Sequence, residues 1–306
     1  MELIKWLDEL RVHDAADAGD EAATLGELTA SGIAVPDGFV LSAQVLRRML
    51  IDAGVNPYPL STAIAADASD AAWLQARLLD APIDPCAVAQ LIAAYRHLGA
   101  RTGLLDPAVV LCASELGQRV DAGRGPCLMA VGSTAMIEAV RSVWSSLFDA
   151  RFLADRVALR IAGAPSAAVL IQQMVPVLRS GTAFTRDPVH AGHRLITIEA
   201  AFGSGADVWT RPPSDEYRVD RSTGEVVDTH IAAKEAEFAL TGGRAAAVAF
   251  PGDRRHQRVL TDSEAASVAR TSLEVERVLG GPQLVDWGLT PTGDVLIRAA
   301  RPLEPS

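Results

Sequence analysis

The sequence predicts a mixed α/β (α+β) protein of two lobes, a helix-rich one over residues 1–167 and a mixed α/β one over residues 168–306. Three observations predict it. The chain has 306 residues, 49% of them apolar, which is ample for a sizeable core. Up to about residue 165 the apolar residues recur mostly at helical spacing, with short apolar runs between them. Beyond it, short apolar and β-branched runs alternate with turn residues, which is the pattern of strands.

In the first lobe Ser42 is placed to cap a helix carrying Val45, Leu46, Met49 and Leu50, and Gly54 follows as its stop. The stretch STAMIEAVRSVWSSLF puts Ile137, Val140, Trp144, Leu147 and Phe148 on one helical face, after the capping candidate Ser133. In the second lobe AAVLIQQMV, GTAFTR, RLITIEA, EYRVD and GEVVDTHI read as strands, with a turn at residues 222–224 joining the last two. A helix then opens on a capping box, Thr261 to Glu264, and stops at Gly280 and Gly281. The hairpin of PQLVDW and DVLIRAARP around PTGD closes the chain.

Composition excludes several classes of function. A formal charge of −10 opposes an extended nucleic-acid surface. The opening MELIKWLDEL lacks a secretory signal, and no window of about 18 uncharged apolar residues occurs, so no membrane span and a cytoplasmic location are expected. Cys86, Cys112 and Cys127 are odd in number and widely spaced, which reads as reduced, buried thiols. Only Lys5 and Lys234 are lysines, so almost every cation available to a phosphate is a guanidinium.

Three segments in order, SGTAFTRDP, IEAAFGSGADVWTRPPSDEYRVDR and GPQLVDWGLTPTGDVLIRAARPL, resemble the nucleotide-binding domain of the phosphoenolpyruvate synthase and pyruvate phosphate dikinase family, a two-lobed ATP-grasp fold. AGDEAATLGELTASGIAVPDGFVLSA resembles that family's opening and VWSSLFDAR a further segment, so the resemblance spans nearly the whole chain. It implies ATP and Mg²⁺ held between two lobes, and a phosphoryl group passed to a histidine on a separate swivelling domain. A separate protein bearing the phosphohistidine or acceptor domain is the partner it implies.

Carried over residue by residue, the resemblance places Gln172 and Gln173 on the strand beside the adenine, one of them facing inward. It places Arg186, Glu199 and Arg301 around the nucleotide and Asp286 as the metal ligand; no catalytic residue is assigned. The chain also departs from the pattern. Glu21 stands where the family has a phosphate-binding lysine, Cys112 where it has an arginine, and Ala206 where it has a glutamate. Leu284 replaces one of two hairpin acids and Ala299 replaces a glutamine, while the lid segment is short and offers only Arg124.

Phosphoryl transfer needs cations to spread the charge of the transferring group and carboxylates to hold the bridging metal. Their loss sets two expectations side by side: a nucleotide-binding subunit that supports transfer with another domain, and an inactive pseudoenzyme kept as a binding or regulatory module. An ATP-grasp ligase ranks third, because it needs the same charges. The retained residues have plainer readings too. Arg186 beside Asp187 reads as a strand-end ion pair, Asp286 as a hairpin surface acid, and Arg301 as the partner of a nearby acid. Gly203 and Gly205 read as a turn, and His190 and His193 as solvated loop residues.

Overall fold

The structure, a computed structural model, describes residues 3–303 other than 56–67, 117–126, 159, 162–164, 187–193, 204–212, 235, 242–243, 250–251 and 253–254. The sequence-based readings of Arg124, Asp187, His190, His193, Gly205 and Ala206 lie outside the described residues. The chain contains both helices and strands, as the predicted α/β class requires. The chain divides into two units, Met1–Gly26 with Asp37–Met174, and Glu27–Pro36 with Val175–Ser306.

The first unit is built from β1 (Ile4–Trp6), α1 (Ala15–Ala18), α2 (Asp20–Ala30, which continues into the second unit's residues), β2 (Gly38–Leu41), α3 (Ala43–Asp52), α4 (Ala68–Asp80), α5 (Pro85–Thr102), β3 (Val109–Glu115), β4 (Leu128–Ala130), α6 (Ser133–Ser146), α7 (Ala150–Ala158) and β5 (Ala167–Gln173). Its strands pair antiparallel in the order β1-β2-β5-β3-β4. Alternation along each strand sends Phe39, Leu41, Val109, Leu111, Val169 and Ile171 to one face, where they join the core with α3 to α6.

Local signals explain where these helices begin and end. Ser42 Oγ accepts from the Gln44 N–H at 3.2 Å, and Val45, Leu46, Met49 and Leu50 are buried, as expected. Gly54 then takes φ +76°, and the Val55 N–H returns to the Leu50 carbonyl at 2.8 Å. Ser133 is not the cap of α6: Gly132 is, and its N–H is satisfied by the buried Tyr95 hydroxyl at 2.8 Å. The buried stripe also runs through Met136 in place of Ile137, which is half-buried against the same core.

The cysteines overturn the expectation of three buried thiols. Cys112 and Cys127 form a disulfide, and Cys86, at the start of α5, is exposed and free. The reason is register. β3 and β4 pair Leu111 with Leu128, so the next step brings Cys112 opposite Cys127.

The second unit contains β6 (Arg179–Phe184), β7 (Leu195–Phe202), β8 (Asp215–Asp220), β9 (Val226–His230), β10 (Ala236–Thr241), β11 (Arg244–Ala249), α8 (Asp262–Leu279), β12 (Gln283–Leu289) and β13 (Val295–Pro302). Six strands form an antiparallel sheet in the order β13-β12-β6-β7-β8-β9, and β10 and β11 form a separate hairpin. α8 lies on one face of the large sheet, its Ala265, Val268, Ala269 and Val275 buried along with Ala183, Ile198, Tyr217, Val285 and Trp287 of the strands. The capping box is present, with Thr261 Oγ1 accepting from the Glu264 N–H and Glu264 Oε2 accepting from the Thr261 N–H; Gly280 ends the helix at φ +78°.

Two ion pairs fasten α8 to the sheet: Arg179 to Glu264 at 2.5 Å, and Arg221 to Glu276 at 2.7 and 3.2 Å. Burial acts to raise the Glu276 carboxyl. Hydrogen bonds from Arg221 and Thr185 and the charges of Arg221 and Arg186 outweigh it and hold the group below the ordinary glutamate value. A carboxyl lowered by folding contributes stability above its unfolded pKa and loses it as pH falls through the folded one. Glu276→Gln is therefore expected to cost about 1 to 2 kcal/mol at neutral pH, and the cost should shrink as pH drops below the glutamate range. Urea unfolding of both proteins from pH 7 to pH 3 checks this; a cost that does not change with pH contradicts it.

Candidate functional site

The face of the six-stranded sheet turned away from α8 carries Glu199, Asp286 and Arg301 of the residues singled out from the sequence. The pairings Ala299 with Asp286, Asp286 with Thr182, Thr182 with Glu199 and Glu199 with Glu216 set these five side chains in one row across five strands. Arg301 pairs with Leu284, two residues along from Asp286, and so lies on the same face.

Asp286 is only 2% exposed, and Arg301 Nη2 lies 3.5 Å from its Oδ2. Asp286 is thus not a surface acid of the hairpin, whereas the reading of Arg301 as the partner of a nearby acid holds. Thr182 Oγ1 donates to Glu199 Oε2 at 3.1 Å, which fixes the direction of that half-buried carboxylate. Arg218 and Glu216 pair at 3.0 Å at the far end of the row.

Gly181 explains how β6 fits between its neighbours. A Cβ there would come within 1.8 Å of the Glu199 carbonyl oxygen, so only glycine lets β7 approach and keeps Thr182 and Glu199 in contact. Arg186 falls elsewhere: it is exposed beyond the end of β6, and its charge acts on Glu276 of α8.

Gln172 and Gln173 belong to the first unit. Gln173 shares the parity of Ile171 and Val169, which enter the core, so Gln172 takes the opposite face. That second face carries Val110, Cys112 and Ser114 of β3, because Gln172 pairs with Val110. The turn into α2 packs there, where the Ala22 N–H donates to Ser114 Oγ at 3.1 Å. Gly19, at φ +81°, has no room for a Cβ, which would lie 2.2 Å from the Ser114 carbonyl oxygen. Glu21 is in the first turn of α2 and buried, a position where the helix dipole favours its negative charge.

Two groups escaped the sequence reading. Thr182 has a weak signal, the alternation of SGTAF, which sets it on the polar face. Asp215 and Lys234 have none. They form an ion pair buried at 0% and 2% exposure, and Asp215 also accepts from the Ala232 N–H at 3.0 Å, the Val259 N–H at 2.8 Å and the Tyr217 hydroxyl at 3.1 Å.

Among the described residues no three His, Cys, Asp or Glu side chains come together as a metal site. Asp286 faces a guanidinium, and Glu199 is two strands away, held by Thr182. By themselves these residues do not make a metal cage.

A model of the pyruvate phosphate dikinase AMP/ATP-binding domain matches residues 16–305. The chain belongs to this family. It is 30% identical to the protein named "Probable phosphoenolpyruvate synthase" of Methanothermobacter thermautotrophicus, over 98% of this chain and 46% of that protein. It is 28% identical to a rifampicin phosphotransferase of a Streptomyces species, over 98% of this chain and 36% of the relative. The chain therefore spans less than half the length of these relatives. Among solved structures, a D-alanine-D-alanine ligase from Coxiella burnetii matches with a TM-score of 0.36 and 12% identity, over 91% of this chain and 45% of the ligase chain. The row through Asp286, Thr182 and Glu199, Arg301 beside it, and the face bearing Gln172 all lie within the residues that the family model matches. Among the described residues no helix is long and apolar enough to cross a membrane.

Proposed function

We propose that this chain is an ATP-grasp domain that binds ATP and serves phosphoryl transfer with a phosphohistidine-bearing partner domain, at a rate limited by missing countercharge. The observation that carries the reading is the family match over residues 16–305, which takes in a sheet face set with Arg301, Asp286 and Glu199. Arg301 offers a planar fork of donors to a phosphate. Asp286 can give one oxygen to Mg²⁺, an ion that keeps several waters and takes its remaining ligands from the phosphates. Gln172, on the face that receives the turn into α2, is the glutamine assigned to the adenine side.

Specific substitutions favour a second reading, in which the fold is kept as an inactive binding or regulatory module. Glu21 puts a negative charge where the resemblance calls for a lysine, and a carboxylate there repels a triphosphate. Leu284 and Ala299 remove a hairpin acid and an amide from the row that holds Asp286 and Arg301.

Ligand-dependent stability separates the readings. A nucleotide at 100 times its Kd stabilises the folded state by about 2.7 kcal/mol, so millimolar ATP with Mg²⁺ is expected to raise the melting temperature by several degrees. No rise at that concentration leaves only the module that does not bind ATP. A rise with no transfer to any histidine domain supplied leaves a nucleotide-binding pseudoenzyme.

A further inference from the structure

We propose that Cys112 and Cys127 are a reversible thiol–disulfide couple that controls the first unit's second sheet face, and with it nucleotide affinity. The second half of this proposal rests on the ATP-binding reading above. The first half stands on register alone.

β4 is an edge strand held to β3 by three residue pairs, Val109 with Ala130, Val110 with Met129 and Leu111 with Leu128. Cys112 and Cys127 are the next position of that ladder, with Cα atoms 4.5 Å apart. This is the closer of the two spacings that alternate in antiparallel pairs, the one in which side chains stand nearest. Beyond it Ala113, Ser114 and Glu115 pair with β5. Among the described residues the bridge is therefore the last tie between β3 and the strand that returns to it. Without it, the start of β4 depends on a three-residue ladder at the sheet edge.

The position of Cys112 links that tie to the nucleotide-facing surface. Its side chain shares a face with Ser114, which accepts from the first turn of α2 beside Glu21, and with Val110, which pairs with Gln172. A covalent constraint is thus inserted into the row of β3 side chains on which the α2 turn rests.

The chemistry balances with a low-molecular-weight disulfide, RSSR, as the oxidant. The Cys127 thiolate, on the half-buried side of the pair, attacks one sulfur and releases one RSH. Cys112, 8% exposed, then displaces the second RSH from the mixed disulfide. Two protein thiols are oxidised, RSSR is reduced to two RSH, and excess RSH runs the exchange backwards. In a compartment rich in such thiols, a disulfide of this kind acts transiently, as a sensor.

The full chain is equilibrated with glutathione disulfide in one sample and with excess dithiothreitol in another, and freed of reagent. Free thiols are counted with a chromogenic disulfide, and ATP affinity with Mg²⁺ is measured by titration calorimetry. The proposal expects no free thiol after oxidation, with Cys112 joined to Cys127 and exposed Cys86 carrying one glutathione, so that the chain mass gains a single glutathionyl group, and three thiols after reduction, with the two states differing at least fivefold in Kd. A variant carrying both Cys112→Ser and Cys127→Ser should show one Kd whatever the redox treatment. Three thiols in both samples overturns the couple. A bridge present by count and mass with equal Kd in both states overturns the control of affinity. Absence of ATP binding in either state overturns the ATP-binding reading and the control that rests on it, while the thiol count and chain mass still decide the couple.

Discussion

Introducing Glu21→Lys, Leu284→Asp and Ala299→Gln together is expected to raise ATP turnover, measured as ADP release, by on the order of 10² to 10³. The gain comes from countercharge. Glu21→Lys exchanges a carboxylate at the start of α2 for an ammonium, at a position that is itself buried. Leu284→Asp places a second acid opposite Arg301, two residues from Asp286. Ala299→Gln adds an amide opposite Asp286, at a site only 1% exposed, so about 1 to 3 kcal/mol of overpacking is expected. The melting temperature must accordingly be followed alongside the rate. The gains from Leu284→Asp and Ala299→Gln should not multiply, because neighbouring groups that serve one ligand act as a unit. A folded triple variant with unchanged turnover would show that the missing charges are not what limits this chain.

The second large effect concerns stability. Lys234→Met is expected to cost about 3 to 5 kcal/mol, because it leaves a buried carboxylate without its cation. The methionine nearly matches the lysine stem in volume, so the loss reports the charge. Asp215 keeps its three neutral donors, the N–H groups of Ala232 and Val259 and the Tyr217 hydroxyl. Tyr217 in turn accepts from the Leu260 N–H at 2.8 Å, so the network ties β8, the segment after β9 and the approach to α8 to one point. Urea unfolding with an unchanged slope isolates the effect. A cost below about 1 kcal/mol would mean that the neutral donors alone satisfy Asp215.

How much of this was legible in the sequence depends on the range of the signal. Ser42, the Thr261 to Glu264 box and Gly280 act within a few residues, and each does in the structure what its local pattern indicates. Ser133 is displaced as the cap because Gly132, at φ +86°, turns the chain into α6 and its N–H donates to the Tyr95 hydroxyl of α5, a partner 37 residues away. The alanine-rich hairpin of β10 and β11 has no alternation to reveal it.

The disulfide was hidden for a similar reason. A separation of 15 residues carries no motif, and only the pairing of Leu111 with Leu128 brings the two sulfurs together. Asp215 precedes the run EYRVD and carries no signal of its own; β8 begins with it, and the strand's parity sends it inward to Lys234. In the candidate site, the motifs gave Glu199, Asp286 and Arg301, and the register set them on one face. Arg186 was assigned by motif alone and stands apart from that row, exposed past the end of its strand.

Titration calorimetry of the full chain with ATP and Mg²⁺, repeated on Arg301→Ala, is the most direct test of whether this family member handles a nucleotide through the polar row of its second unit. Saturable binding by the parent chain, weakened at least tenfold in a variant that melts cooperatively, is the predicted result. No heat from the parent chain, or equal affinity in the variant, would contradict it.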